Sequence, residues 1–493
     1  MTLPFQNLPA NVRVPLFYAE VSNTMANSGT LNQRALIIGQ KTAAGTGVAN
    51  VPVISQSVSD AAQIGGPGSM LHLMTQMYRQ NDSFGEVWYL PLSDDGAGVA
   101  ATGTFAVTAA PTASGVLSLY IAGTRISVNV LSTQTTAQIA TAIAAAVTAT
   151  ANLPVTAAAS TSTVTFTAIN KGPCGNDIDI RVNYLGTAGQ EYTPTGMTFT
   201  ITAMSSGATA PSLTTGLLNL LDKPFDFIVC PYTDTASLDA LKAFLNDSTG
   251  RWSWSSQIYG HFFAAYRGTL GALTTFGVGR NDQHGSIMGF NDSPTPSWLW
   301  AAAFAGQVAV SVRADPARPV QTLALQSVLA PPLESRFALT DRNTLLYDGI
   351  STFTVADDGT VAIENAITTY QKNSFGQPDN SYLEVETLFT LMFVLRFLRT
   401  RVTSKFPRMK LAADGTRFAA GSAIVTPSII KMDQIAAYQE LENAGLVQRA
   451  DLFAQNLIVQ QNAQNPNRVD VLWPGTLVAQ LRIFALLAQF RLQ

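Results

Sequence analysis

The 493-residue sequence predicts a mixed α/β (α+β) protein: a discontinuous core domain, an inserted β-rich domain, and an extended strand arm at each end. Three observations lead there. Short apolar runs such as Ala35–Gly39 and Phe225–Tyr232 alternate with amphipathic helical stretches, the pattern of a layered α/β structure. Between those runs, from Gly96 to Asn170, Arg125 is the sole Asp, Glu, Lys or Arg in a stretch dominated by Ala, Thr, Ser, Val and Gly. Both ends carry β-prone or apolar segments with no evident place in their own domain. The resulting division is 1–22 as N-terminal arm, 23–93 and 214–465 as the two parts of the core, 94–213 as the insertion, and 466–493 as C-terminal arm.

Each element has its own signal. Val12–Ala19 is β-prone but contains Pro15, which places it at a sheet edge. Ala35–Gly39 reads as a buried strand. Gly65-Gly66-Pro67-Gly68 reads as a tight connector, followed by a helix that Ser69 caps and whose stripe is Met70, Leu73, Met74 and Met77. Val87–Leu92 is a further strand. In the insertion, Gly115–Val130 alternates around Ala122-Gly123, a hairpin signature. Ile139, Ile143 and Val147 recur at helical spacing behind a capping box of Thr135 and Gln138. Val164–Ala168, Ile178–Tyr184 and Met197–Ala203 read as strands. After Phe225–Tyr232, Leu238, Leu241 and Leu245 mark a helix. Trp252 with Trp254, and Trp298 with Trp300, alternate as strand residues do. Asp94-Asp95-Gly96 and Asp357-Asp358-Gly359 read as hairpin turns. Leu383–Val402 is the longest helix candidate, Ile424–Ser428 a strand, and Met432–Asn443 a helix ended by Gly445. The final run, LVAQLRIFALLAQFRL, suits either a helix or a strand sandwiched in another sheet, with Gln480, Arg482 and Gln489 interrupting it.

Composition narrows the function classes. Charged residues make up 12% of the chain, against about 25% in ordinary globular domains. Such a surface belongs in a membrane or under copies of itself. The longest membrane candidate, Leu388–Leu398, contains Arg396, follows Glu384 and Glu386, and falls short of the roughly 20 apolar residues of a span. The start, MTLPFQNLPANVRVP, shows no secretory signal pattern. Assembly is therefore expected. Nothing in a net charge of −3 argues for a nucleic-acid binder, and Cys174 and Cys230 make no disulfide framework.

No catalytic, metal or cofactor residue is expected. His72 and His261 sit in apolar surroundings as core histidines do, and His284 falls in the polar Asn281-Asp282-Gln283-His284-Gly285, a solvated turn. A hydrolase using His284 and Asp282 would be the enzyme alternative, but no nucleophile motif, HExxH, GxSxG or phosphate loop accompanies them. Glu384 and Glu386, two apart on a helix, would not share a face. One charge cluster stands out: Arg396, Arg399, Arg401, Lys405, Arg408, Lys410 and Arg417, with Asp414 as its sole acid. It reads either as a solvated helix end or as a basic patch meeting an acidic protein surface.

The chain resembles the contractile tail sheath proteins of bacteriophages, most closely the Mu-like sheaths. Asn11-Val12-Arg13-Val14-Pro15-Leu16-Phe17-Tyr18 is similar to the family's opening RVPGVY segment, with Leu16 in the usual glycine place. Ala35–Gly39, the block ending Phe84-Gly85-Glu86-Val87-Trp88, and Asp348-Gly349-Ile350 resemble elements of the sheath core. Cys174-Gly175-Asn176-Asp177-Ile178, and Asn467-Arg468-Val469-Asp470-Val471 leading to Phe490-Arg491-Leu492, look Mu-like.

The resemblance implies hexameric rings stacked around a tail tube, contraction that drives the tube through the host envelope, and no nucleotide or other cofactor. It implies partners in further copies of the chain, the tube, baseplate and tail terminator proteins, with neither nucleic acid nor membrane insertion. Assembly would take place in the host cytoplasm and the product would be part of the virion tail. The arms would each add a strand to a neighbour, through Val12, Val14, Leu16 and Tyr18 at one end and Leu481, Ile483, Phe484, Leu486 and Phe490 at the other. Arg396, Arg399, Arg401, Lys405, Arg408 and Lys410 would form a tube-facing or inter-subunit patch, and the insertion would lie on the outside. The alternatives are the sheath of a phage-derived injection device, pyocin-like or type VI-like, and another virion shell protein.

Overall fold

The computed structural model describes residues 33–492. Strand β1 (Arg34–Gln40) carries the apolar run and is buried on both faces. A short strand β2 (Val53–Ile54), helices α1 (Val58–Gly65) and α2 (Met70–Asn81), and strand β3 (Glu86–Leu92) follow. Ser69 caps α2 by accepting the His72 N–H at 3.2 Å, and the helix buries Met70, Met74 and Met77.

The chain then forms β4 (Ala100–Ala109), β5 (Gly115–Ile121), β6 (Thr124–Val130), α3 (Thr136–Ala149), β7 (Val155–Ser160), β8 (Thr163–Lys171), β9 (Ile180–Val182) and β10 (Thr198–Ser205), none of whose strands joins the sheet of β1 and β3. They make two antiparallel sheets, β10-β4-β8-β7 and β6-β5-β9. The hairpin of β5 and β6 closes on Ala122 (φ 50°) and Gly123 (φ 81°), the two left-handed positions of a tight turn. Thr135 and Gln138 form the capping box of α3, which buries Ile139, Ile143 and Val147. Along β8, Val164, Phe166 and Ala168 point inward and threonines alternate between them, so the segment has an apolar face without needing charge on the other. It docks on the core through a shared apolar cluster that holds Leu153, Ala168 and Ile178 with Met70 and Trp298, and through polar ties: Asn170 Oδ1 accepts the Met70 N–H at 2.9 Å, and Asp94 Oδ1 accepts from Gln40 Nε2 at 2.7 Å. Asp94 thus leads from β3 to β4, in different sheets, and does not close a hairpin.

The chain then returns with α4 (Thr214–Leu218), β11 (Phe227–Val229), α5 (Thr235–Leu245), β12 (His261–Arg267), α6 (Leu270–Val278), β13 (Gly285–Phe290) and α7 (Ser297–Ala314). The core sheet has the order β13-β12-β11-β1-β3-β2, parallel except for β2 at its edge. Its strands read as continuous apolar runs because both faces are covered. Leu36, Ile38, Ile228 and Ala264 meet Leu238, Leu241 and Leu245 of α5 on one face. Ala35, Ile37, Phe227 and Phe263 meet α2 and α7 on the other. Trp298 and Trp300 belong to α7, not to a strand. The helix is buried almost all round, so a periodicity judged from two residues carries no sidedness.

The remainder comprises α8 (Leu339–Tyr347), β14 (Thr352–Val355), β15 (Val361–Asn365), α9 (Val385–Lys405), β16 (Lys410–Leu411), β17 (Ile424–Val425), α10 (Pro427–Asn443), β18 (Val447–Gln448), α11 (Ala450–Asn456), β19 (Ile458–Gln461), β20 (Val469–Leu472) and β21 (Thr476–Leu477). Gly349, between α8 and β14, sits at φ 74°, a conformation that favours glycine. The Asp357-Asp358-Gly359 turn closes the hairpin of β14 and β15. The strand expected over Ile424–Ser428 stops at Val425, because Thr426 caps α10 and Pro427 opens it. Helix α9 serves two cores: Leu388, Phe389 and Met392 pack on the main body, whereas Val394 joins Tyr438, Leu441, Phe453 and Leu457 in a smaller one. Strand β20 pairs with β19 and β21 with β18, both antiparallel, so two strands of the stretch 466–493 are spent within the subunit. No helix or strand follows from Val478 to Leu492. Among the described residues, no helix is long and apolar enough to cross a membrane.

Candidate functional site

The histidines come first, because an enzyme would need them. His261 on β12 is fully buried, its Nε2 2.9 Å from Ser286 Oγ, and burial holds its imidazole well below the ordinary value. His284, expected in a solvated turn, is instead buried at the start of β13. It stacks on Trp252 with ring centroids 4.7 Å apart, and its Nε2 lies 3.0 Å from Asp247 Oδ1. Asp282 accepts the backbone N–H of His284 at 3.0 Å, so its carboxylate closes a turn and does not face the imidazole as an acid–base partner. The polar letters of this segment mislead because its partners, Asp247 and Trp252, arrive from the chain before β12. Among the described residues no group of three or more His, Cys, Asp or Glu could hold a metal ion.

The chain ends are the other candidates. Val12, Val14, Leu16 and Tyr18 lie outside the described residues. The root of that end is held firmly. Arg313 Nε, from the last turn of α7, donates to Gln33 O at 3.3 Å, and the Arg34 N–H donates to Asp226 Oδ2 at 3.3 Å. Arg313 also pairs with the buried Asp82 at 2.7 Å. Gly85 leaves the space for that pair, since a Cβ there would strike both side chains. At the other end, Leu481, Ile483, Phe484, Leu486 and Phe490 are all strongly exposed, Ile483 at 82% and Phe490 at 84%. A soluble surface seldom shows such a contiguous apolar run without a partner.

The basic cluster divides in two. Arg396 points inward from α9 to the buried Asp226; it also donates to Ile258 O at 3.0 Å and lies over the Tyr259 ring. Burial pushes the Asp226 carboxyl up, and the Arg396 guanidinium opposes that shift. Arg401 bridges to α10 through Asp433 at 3.0 Å and Glu440 at 2.7 Å, and Lys405 joins Asp433 at 2.5 Å. These three fasten α9 to its own subunit. Arg399, Arg408 and Lys410 are exposed and form no ion pair with the described residues. The sequence count of seven cations therefore overstates the free patch, because the acids that neutralise it are far away in the chain.

Two side chains that matter have no role legible in the sequence. Arg313 binds the N-terminal root, and Arg482 in the tail lies 2.8 Å from both Glu384 and Glu386. Glu384 stands at the N-cap of α9 and Glu386 inside its first turn, so the pair converges although its spacing is wrong for one helical face. The available signal was an arginine set in an apolar run and an acid at an apolar helix start.

The comparisons with known proteins agree in kind. Residues 206–369 match the phage tail sheath protein central domain, and 377–491 the phage tail sheath C-terminal domain. A curated relative, the Mu-like prophage FluMu tail sheath protein of Haemophilus influenzae, is 42% identical over 492 residues, 99% of this chain and 100% of the relative. Among solved structures, the sheath tail protein of Desulfitobacterium hafniense is 13% identical with a TM-score of 0.48, covering 95% of this chain and 97% of its own. That of Listeria innocua is also 13% identical, with a TM-score of 0.49 and coverage of 91% and 92%. The full-length identity with the Haemophilus protein, together with the two sheath domains, shows that the chain belongs to the Mu-like family of contractile phage tail sheath proteins, a structural family.

Proposed function

We propose that this sheath subunit polymerises as stacked six-subunit rings around a rigid tail tube and contracts to drive the tube through a host envelope. Further copies of the chain are its main partner, with tube, baseplate and tail terminator proteins at the particle's axis and ends. Assembly takes place in the host cytoplasm. The observation that carries the reading is the apolar tail beyond Arg482, exposed on an isolated subunit from Ile483 to Leu492. Its placement suits a segment that adds to a neighbouring copy, where main-chain hydrogen bonds supply the affinity. The low charge of 12% fits a surface largely covered in the array. Arg399, Arg408 and Lys410 supply the exposed cations for a tube or inter-subunit contact, and residues 94–213 would face outward.

Negative-stain electron microscopy of the purified chain across concentration and salt tests this. Striated hollow tubes are expected, and a chain lacking Ile483–Gln493 should stay as folded single subunits. Single particles from the full chain even with a tail tube added would overturn the reading.

A further inference from the structure

Within the exposed tail, Arg482 turns inward. Its side chain is 15% exposed, and its Nη2 lies 2.8 Å from Glu384 Oε2 and 2.8 Å from Glu386 Oε1. Nη1 donates to Gln321 Oε1 at 3.2 Å, and Gln321 Nε2 reaches back to Leu481 O at 3.5 Å. The Glu386 side chain is fully buried, and the Oε1 that meets Arg482 also accepts the Val320 N–H. A little upstream, the Val478 N–H donates to Leu446 O at 3.1 Å. From Ile483 onward, no hydrogen bond joins the tail to the described residues. Arg482 is thus the last residue tied to the rest of the subunit, although Leu481 beside it is already exposed.

The chemistry explains why that residue is an arginine. A buried carboxylate next to a second carboxylate needs a cation, and removing one partner of such a group leaves a charge with no compensation. A planar guanidinium can serve Glu384, Glu386 and Gln321 at once, which a lysine ammonium does less well. Burial pushes the Glu386 carboxyl up and Arg482 is the main group opposing it.

We propose that Arg482, Glu384 and Glu386 form a pin that fixes where the C-terminal arm leaves its own subunit, so that the segment free to join a neighbouring copy begins at Ile483. Arg482 is a positioning residue in this scheme, setting the reach and direction of the arm. The role toward a neighbour rests on the assembly function proposed above; the pin itself is a property of the single subunit.

Limited trypsin digestion of the full chain, kept as unassembled subunits and followed by intact mass, reads the pin directly. Cleavage after the exposed Arg417 serves as the internal standard. In the natural chain, cleavage after Arg482 should run at least tenfold slower than after Arg417. In the double variant Glu384→Gln with Glu386→Gln it should rise about tenfold, with Arg417 unchanged. Glu384→Gln alone, at the more exposed carboxylate, gives an intermediate rise if the buried substitution hinders folding, and Arg482→Lys should keep partial protection. Equal cleavage at both sites in the natural chain, or no response to either glutamine variant, would overturn the pin. Failure to form tubes would instead count against the assembly reading and leave this result standing.

Discussion

At the scale of single residues, burial decides which of two neighbouring arginines matters for folding. Arg396 neutralises Asp226, which is almost wholly buried, whereas Arg399 faces solvent. Arg396→Leu should lower the unfolding free energy of the subunit by about 3–5 kcal/mol, since breaking a buried pair strands its partner. Arg399→Glu should change it by no more than about 0.5 kcal/mol. Denaturant titrations of the two variants check this, and similar small losses would contradict it. His261 gives a pH test. Its folded-state value is depressed, so below about 6.5 the unfolded chain takes up a proton that the folded chain refuses. The stability it contributes is complete above 6.5 and falls with pH below it, by up to about 1.4 kcal/mol per unit. His72, also depressed by burial, adds a slope of the same sign. The wild-type chain should therefore lose more stability between pH 6.5 and 5.5 than His261→Gln does; equal slopes would rule out a neutral buried His261.

At the scale of elements, local chemistry accounts for starts and stops. The Thr135 and Gln138 capping box opens α3, and Thr426 with Pro427 opens α10. Thr135→Ala should cost about 1 kcal/mol, seen as faster amide exchange in the first turn of α3 with the core sheet unaffected. Helix α7 shows the opposite situation. Its N-cap residue, Pro296, offers no side-chain cap; Asp177 Oδ2, from far away in the chain, accepts the Ser297 N–H at 2.5 Å, and the helix is held by burial of Trp300, which stacks on Phe290 with centroids 4.6 Å apart. Trp300→Ala should cost about 3–5 kcal/mol in thermal or denaturant unfolding. Its alternating tryptophans resemble a strand because two residues cannot separate a period of 2 from a helix buried on all sides.

At the scale of the whole molecule, α9 ties the parts together. Its first turn holds the C-terminal root through Glu386, its middle holds Asp226 and with it Arg34, and its end holds α10 through Arg401. Reversing Arg401 would therefore disturb the subunit itself. A clean test of the basic surface uses Arg399→Glu with Arg408→Glu, which should impair tube assembly in micrographs while leaving the melting temperature unchanged. Truncation has the same constraint. A cut at Asp470 removes β20 from its own sheet, whereas a cut at Ile483 removes free tail alone.

The sequence by itself determined the alternation of strands and helices in the core, the hairpin at Ala122-Gly123, and the capped helix behind it. These rest on local periodicity, turn chemistry and composition, which are written in adjacent residues. The family was legible too, from short motifs kept in order along the chain. Only the tertiary structure decided which cations are free, that His284 is buried against Trp252, and that Arg482 meets Glu384 and Glu386 almost a hundred residues before it in the chain. An ion pair or a buried ring depends on what arrives from distant segments, and no local pattern encodes the identity of that partner.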